Sequence, residues 1–440
     1  MRRATALLLA ALGACSSGSD ADPDVTVASS APPASTAASA VTAATDSDTP
    51  VPPIRVALNG SISGGGASGV VDGHEAYWKT VDDVAGRPVE LVVLDDGGDL
   101  ATHVENTTAI VADPSIVVVG HSSGTEATAA TRDQRVAAGL VAITSSRYSG
   151  WHDDELGANT LSLGASLCIE AMNGVSFIRS QAGGGNLAIV TEAGDDGADS
   201  AAGARLAAAL LGLTLVFDGE AALVGGADLG PVVDTLVAAE PDLVWVAADP
   251  SNLAQLLGPA HAAGLSAVWS GSAETWSADL LRTPLAEAAD AAYVHTSPFA
   301  VWSDTDVGEI TDTIVDEIAG TADASDTPAT DAFLRGWLEA TVTHRLLTRA
   351  ADDDLTRDAV VAAADGFEVD LGALAPAQSW SSGGADDVVR STYHYDVSLG
   401  AYRPGRLGDG PDVNLGYIAL DGPYQSGAAE SFVFEEPCAG

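Results

Sequence analysis

Residues 115–134 read SIVVVGHSSGTEATAATRDQ: a β-branched run, a glycine-bounded turn, then a helix-like stretch. Gly120-His121-Ser122-Ser123-Gly124 fits G-x-S-x-G, the strained strand-to-helix turn that presents a nucleophilic serine for acyl transfer. Such a serine needs an acid and a histidine later in the chain, and aspartates with His152, His261, His295, His344 and His394 are available. The same loop offers a second chemistry. Hydroxyls and backbone N–H groups at the start of a helix bind a carboxylate. Only two strand–helix units precede Ser122, which leaves little room for the upstream oxyanion loop of a hydrolase. A second strand–helix series further on would also go unexplained. The spacing therefore favours a binding loop, with a secreted serine hydrolase using Ser122 as an alternative.

Gly64-x-Gly66-x-x-Gly69, with Asp95 after the next strand, is formally a dinucleotide fingerprint. In that fingerprint the first glycine follows the strand almost at once, whereas Asn59 to Ser63 intervene here. The glycines read instead as a flexible wall, where Ser63 or Ser68 can touch a ligand. No lysine follows them, so the loop is no P-loop. No His/Cys cluster has metal spacing, and His394 in YHYD reads as a strand residue. No catalytic residue, metal or cofactor is expected.

These loops need elements to position them. Strand-like runs at 54–58, 88–94, 115–120 and 140–144 alternate with helix-like runs near Val70–Val84, Asp99–Ala112 and Thr125–Ala138. The rhythm restarts after Leu163. Strand-like runs at 186–192, 214–220, 242–248 and 267–271 alternate with helices near Ser166–Ser180, Asp199–Leu210, Leu229–Ala239 and Ser251–Ala263. Short apolar runs joined by helices predict α/β architecture with parallel sheets covered on both faces. Two such series predict two doubly wound lobes. Crossings near Leu161–Ser166, Ala291–Phe299 and Gly366–Gly372 make a three-strand hinge, and the helix near Asp331–Ala350 returns to the first lobe. The cleft then lies at the C-terminal ends of both sets of strands.

The chain begins MRRATALLLAALGAC. Arg2 and Arg3 precede an apolar run from Ala4 to Ala14, too short to span a bilayer and typical of a signal peptide over 1–14. Leu12-Gly13-Ala14-Cys15 resembles a bacterial lipobox, which implies cleavage before Cys15 and its lipidation. Residues 16–53 are rich in Ser, Thr, Ala, Asp and Pro without aromatics, and so read as a flexible stalk behind the lipidated cysteine. In that oxidising compartment the remaining Cys168 and Cys438 either pair or stay as free thiols, and pairing is favoured. The formal net charge of −44, with Lys79 the only lysine, argues against nucleic acid and anionic lipid as partners. The charge favours cationic or zwitterionic small ligands if it concentrates in the cleft. Arginine and alanine usage hints at a GC-rich, Gram-positive bacterium. The expected location is the outer face of its cell membrane, held by lipid.

Residues 70–146 carry a sequence of motifs: a helix ending before Gly86-Arg87, a strand ending in Asp95-Asp96, and a helix ending in Val111-Ala112-Asp113-Pro114. A strand ending in Gly120 with serines follows, then one ending in Ile143-Thr144-Ser145-Ser146. In this order and spacing the chain resembles the type I periplasmic-binding-protein family, and within it the branched-chain amino-acid-binding proteins of ABC transporters. The resemblance runs from about Ile54 to Ala350. It implies two lobes, 54–163 with 296–366 and 164–295 with 367–440. It also implies capture of an amino acid or similar solute by closure of a monomer, and delivery to an ABC permease; a ligand sensor serving a signalling partner is the other reading. The ligand carboxylate is implied to meet Ser122-Ser123 and the loop Ser145-Ser146-Arg147-Tyr148. Arg147 and Tyr148 depart from the family's small residues, and Arg147 either binds an acidic ligand group or pairs with an acid across the cleft. In the second lobe Asp195-Asp196 stand where the family carries an aromatic. Asp249 and Glu274 are further candidates, with Glu274 the preferred ammonium partner, and Trp276 and Trp151 are candidate walls.

Overall fold

The computed structural model describes residues 52–440 except 64–67, 82, 305–310, 313, 315, 317–325, 352, 353, 382–387, 434–437, 439 and 440. The expected signal peptide, Cys15 and nearly all of the stalk lie outside the described residues, as do Gly64 and Gly66.

The first series folds as β1 (Ile54–Gly60), α1 (Ser68–Thr80), β2 (Val89–Asp95), α2 (Leu100–Ala112), β3 (Ile116–Ser122), α3 (Thr125–Ala130), α4 (Arg132–Ala137), β4 (Val141–Thr144) and β5 (Thr160–Ser162). The second gives α5 (Leu167–Gln181), β6 (Asn186–Glu192), α6 (Asp195–Leu211), β7 (Thr214–Leu223), α7 (Gly230–Ala239), β8 (Leu243–Ala247), α8 (Pro250–Ala262), β9 (Val268–Gly271), α9 (Ala286–Ala292) and β10 (Tyr293–Ser297). Then come α10 (Asp331–Ala350), α11 (Arg357–Ala364), β11 (Phe367–Val369), β12 (Gln378–Trp380), β13 (Thr392–Val397), β14 (Tyr417–Tyr424) and α12 (Gly427–Ser431).

The β-branched runs make central strands buried on both faces, such as β3 and β8. The first sheet has the order β2-β1-β3-β4-β5, all parallel. The second has the order β14-β13-β10-β9-β8-β6-β7. Its parallel part, β7-β6-β8-β9-β10, repeats the order of the first sheet, so both lobes are doubly wound around a switch point beside their first strand. The expectation of parallel sheets needs one correction. β13 adds antiparallel to β10 and β14 antiparallel to β13, as a mixed edge that no helix-linked crossover requires. His394 lies in β13, fully buried and stacked on Phe177 at 4.1 Å.

Two helix expectations also change. The stretch Thr125–Ala138 is not one helix: it breaks at Thr131, whose hydroxyl donates to Ala127 O at 3.0 Å. Side chains of this type compete with the backbone ladder. Helix α6 begins at Asp195, four residues before the expected Asp199, because Gly194 at φ 113° turns the chain into it.

α10 packs on α1 through bare backbone. A Cβ on Gly73 would stand 2.2 Å from Phe333 O, and one on Gly336 would stand 2.0 Å from Val70 O. Neither obstacle is a flexible side chain. Gly336→Ala should therefore cost at least the ~1–3 kcal/mol typical of overpacking, seen as a lower denaturant midpoint at unchanged slope. Lys79 lies exposed in the last turn of α1.

The segments between the lobes hold one another. Gly164 N–H donates to Gln378 Oε1 at 2.8 Å, Ala300 N–H to Leu374 O at 2.9 Å, and Trp380 Nε1 to Ser162 O at 3.1 Å. Gly164 has φ +78°, and a Cβ there would meet Phe299 and Pro298 below 3 Å. The stretch expected to make the third crossing forms the antiparallel pair β11–β12 before the chain reaches β13.

Candidate ligand-binding cleft

A cleft of roughly 840 Å³ opens between the C-terminal strand ends of the two sheets. The loops after β1, β2, β3 and β4 form one wall, with Arg335 beside them. The loops after β6, β8 and β9 form the other.

Of the expected residues, Ser123, Ser146, Arg147, Asp196, Asp249 and Glu274 line this space. Ser122 does not. It is buried at the end of β3, with Oγ 2.9 Å from Thr128 Oγ1 and no imidazole among its hydrogen-bond partners. The cause is the strand's two-residue period. His121 and Ser122 point to opposite faces of β3. His121 meets Glu339 of α10, with Nδ1 2.8 Å from Oε2. Ser123 faces the cleft, and its Oγ accepts from Ser61 N–H at 3.1 Å. Tyr148 and Trp151 pack edge to face at 6.2 Å, outside the cleft lining. Trp151 is a core residue whose Nε1 donates to Ser146 Oγ at 2.8 Å.

Arg147 joins the lobes. It is fully buried, donating to Glu170 Oε2 at 2.9 Å, to Ala165 O at 3.2 Å and through Nε to Glu274 Oε1 at 3.2 Å. Glu170 comes from α5 and also takes Ala273 N–H at 3.0 Å. Burial disfavours the Arg147 charge, but the two carboxylates outweigh it and raise its pKa. Burial likewise pushes Glu170 above the usual glutamate range, against the pull of Arg147. For Glu274 the burial effect loses: Arg147 and Arg335 hold its carboxyl below the usual range. Thr125 makes a second cross-cleft bond, donating to Asp196 Oδ1 at 2.6 Å. Burial still lifts Asp196 to about 6. Deeper in α6, burial takes Asp199 up to about 7 although it accepts Ser149 N–H and Cys168 N–H, each at 3.1 Å.

Sequence reasoning missed Arg335, Glu339 and Thr125. Arg335 donates to Ser145 O, lies 3.4 Å from Glu339 Oε1, and stands 3.9 Å from Glu274 Oε1. No motif marks it. Its i, i+4 spacing to Glu339 on a helix was the one available signal.

The charge of the cleft is lopsided. Asp96, Asp99 and Glu126 on one wall and Glu192, Asp195, Asp196, Asp249 and Glu274 on the other make eight acids against Arg147 and Arg335. Both arginines already face carboxylates. Asp249 sits at the rim, where burial and neighbouring Glu192 raise its carboxyl.

The periplasmic binding protein family model matches residues 53–397. The chain belongs to this family. Known structures with the same fold include a fatty acid ABC transporter substrate-binding protein from Thermomonospora curvata. It is 20% identical with a TM-score of 0.73, covering 88% of this chain and 95% of the other. An Aeropyrum pernix ABC transporter substrate-binding protein is 18% identical with a TM-score of 0.69, covering 86% and 98%. A branched-chain amino acid ABC transporter protein from Thermus thermophilus with bound valine is 16% identical with a TM-score of 0.68, covering 87% and 98%. No curated protein matches the chain. As a periplasmic binding protein, the chain has type I architecture. No described helix is long and apolar enough to cross a membrane.

Cys168 at the start of α5 and Cys438 are joined in a disulfide, Cα to Cα 6.2 Å. Cys438 N–H donates to Ser149 Oγ at 2.9 Å.

Proposed function

We propose that this protein is an extracytoplasmic solute-binding lipoprotein, held to the membrane through Cys15. It captures a small ammonium-bearing solute, an amino acid or similar zwitterion, by lobe closure and delivers it to an ABC importer. The acid excess of the cleft carries this reading. Both cleft arginines are matched by carboxylates, so the remaining field favours a cation. An ammonium group near Glu274, Asp196 or Asp249 gains charge-assisted bonds. The hydroxyls of Ser123 and Ser146 suit its carboxylate. The family and the ABC transporter neighbours support the transport role, and the Thermus protein holds an amino acid in the same fold. A fatty acid, named for the Thermomonospora protein, would bring its carboxylate against eight acids. Ligand drives closure only through its tighter binding to the closed form.

A melting-temperature screen of the purified chain tests this. Amino acids and diamines such as putrescine should raise the transition, while octanoate and benzoate should not. Glu274→Ala should weaken the best ligand at least tenfold by calorimetry. A panel in which only simple carboxylates stabilise the protein would refute the proposal.

A further inference from the structure

The cleft does not end at Glu274. Behind it lies a second chamber of roughly 280 Å³, reaching the segments that connect the lobes. Ser123, Ser145, Glu274 and Arg335 line both spaces and form the partition between them. Glu274 and Arg335 come from opposite lobes and stand 3.9 Å apart, a loose ion pair.

The inner chamber differs in chemistry from the outer cleft. Val70, Phe299, Val301, Leu334, Leu338 and Leu374 give it apolar walls, and Trp276, stacked on Tyr293 at 4.9 Å, closes one side. Two imidazoles and Ser297 interrupt these walls, as do Asp331 and Tyr417, which satisfy each other through Tyr417 Oη donating to Asp331 Oδ2 at 2.8 Å. His121 is 2% exposed and His295 is 4% exposed, and both line the chamber. His121 Nε2 and His295 Nδ1 are buried without a hydrogen-bond partner among the described residues. Leaving such an atom unpaired carries a desolvation cost, so a group that pairs with it binds with gain. The His121 tautomer follows from its other nitrogen. Nδ1 lies 2.8 Å from the Glu339 carboxylate, so in the neutral ring the proton sits there and Nε2 presents a lone pair. The chamber therefore asks for a donor on an otherwise apolar body. A dry cavity of ~150 Å³ admits benzene, so this one has room for a substituted ring.

We infer that the solute is an aromatic amino acid carrying an O–H or N–H on its ring. Its ammonium meets Glu274, in the gap of the loose pair, and its carboxylate meets the hydroxyls of Ser123 and Ser146. Its ring fills the inner chamber and donates to the imidazole of His121. This inference rests on solute capture in the cleft, as proposed above.

Calorimetric titration of the whole chain with L-tyrosine, L-phenylalanine, glycine and putrescine tests it. L-Tyrosine should bind tightest, L-phenylalanine about tenfold weaker and glycine at least a hundredfold weaker. His121→Leu should bring L-tyrosine down to the affinity of L-phenylalanine. Leu338→Trp, which fills the chamber, should cost both at least a hundredfold. The tyrosine-to-phenylalanine ratio is read on the unaltered chain, so it decides even where a variant fails to fold. Equal affinity for the two, or binding of glycine or putrescine but not L-tyrosine, overturns the chamber assignment while leaving capture in the cleft intact. No binding of any of the four, with no stabilising amine in the wider screen, overturns both.

Discussion

Alanine in place of Arg147 should lower the stability of the folded chain by about 3–5 kcal/mol at pH 8, the usual cost of stranding a buried charge. Arg147 is the partner of Glu170, which is fully buried on α5 and would keep only Ala273 N–H. The dependence on pH has a definite sign. Burial already raises Glu170, and removing the guanidinium that opposes this raises it further. A carboxyl with a raised folded-state pKa stabilises the fold at low pH, and that contribution is lost as pH rises through the folded value. The deficit of Arg147→Ala should therefore be largest at pH 8 and shrink toward pH 5. Adding Glu170→Gln should recover much of the loss at pH 8 and little at pH 5. Denaturant melts of the three chains at both pH values give the answer. A deficit below about 1 kcal/mol at pH 8 would mean that the lobes do not meet at Arg147 in solution.

The second large effect belongs to the disulfide. Cys168 and Cys438 are 270 residues apart, and closing so long a loop restricts the unfolded chain by an amount worth about 5 kcal/mol in the chain-entropy account. The Cys168→Ser, Cys438→Ser double variant should lose about 3–5 kcal/mol. Most of the tail's other anchors should survive. Asn173 Nδ2 donates to Arg390 O at 2.9 Å, and its Oδ1 accepts Ser426 N–H at 2.9 Å. The expected outcome is a cooperative transition at lower denaturant in the double variant, with the fold retained at low temperature. An unchanged midpoint in an oxidised sample would show that the bond does not form.

Much of the fold was legible because parallel sheets demand apolar runs of limited length. IRVAL, SIVVVG and LVAIT are buried on nearly every side chain and read as strands at once. β14 was not legible. It runs YIALDGPY at a sheet edge with most residues exposed, and no alternation survives. The site divides in the same way. Loops after strand ends can be counted along the chain, so Ser123, Ser146 and Glu274 were reachable. Which side chains meet across a cleft cannot be counted. Arg147 and Glu274, 127 residues apart, both read as ligand contacts, with an acid across the cleft as the other partner for Arg147, and the structure joins them to each other. His121 stands inside the G-x-S-x-G motif, whose pattern singles out the neighbouring serine and leaves the histidine position unspecified. The facing Glu339 lies 218 positions further on.

Lys79 closes α1 in an exposed position, and no other lysine occurs in the 440 residues. An amine-directed dye therefore attaches to the folded body at one known point, on the first lobe. Paired with a second colour on an engineered thiol of the opposite lobe, it turns opening and shutting into an optical signal from single molecules. The same scarcity leaves arginine as almost the only cutting site for trypsin, so limited digestion reports on a small set of bonds.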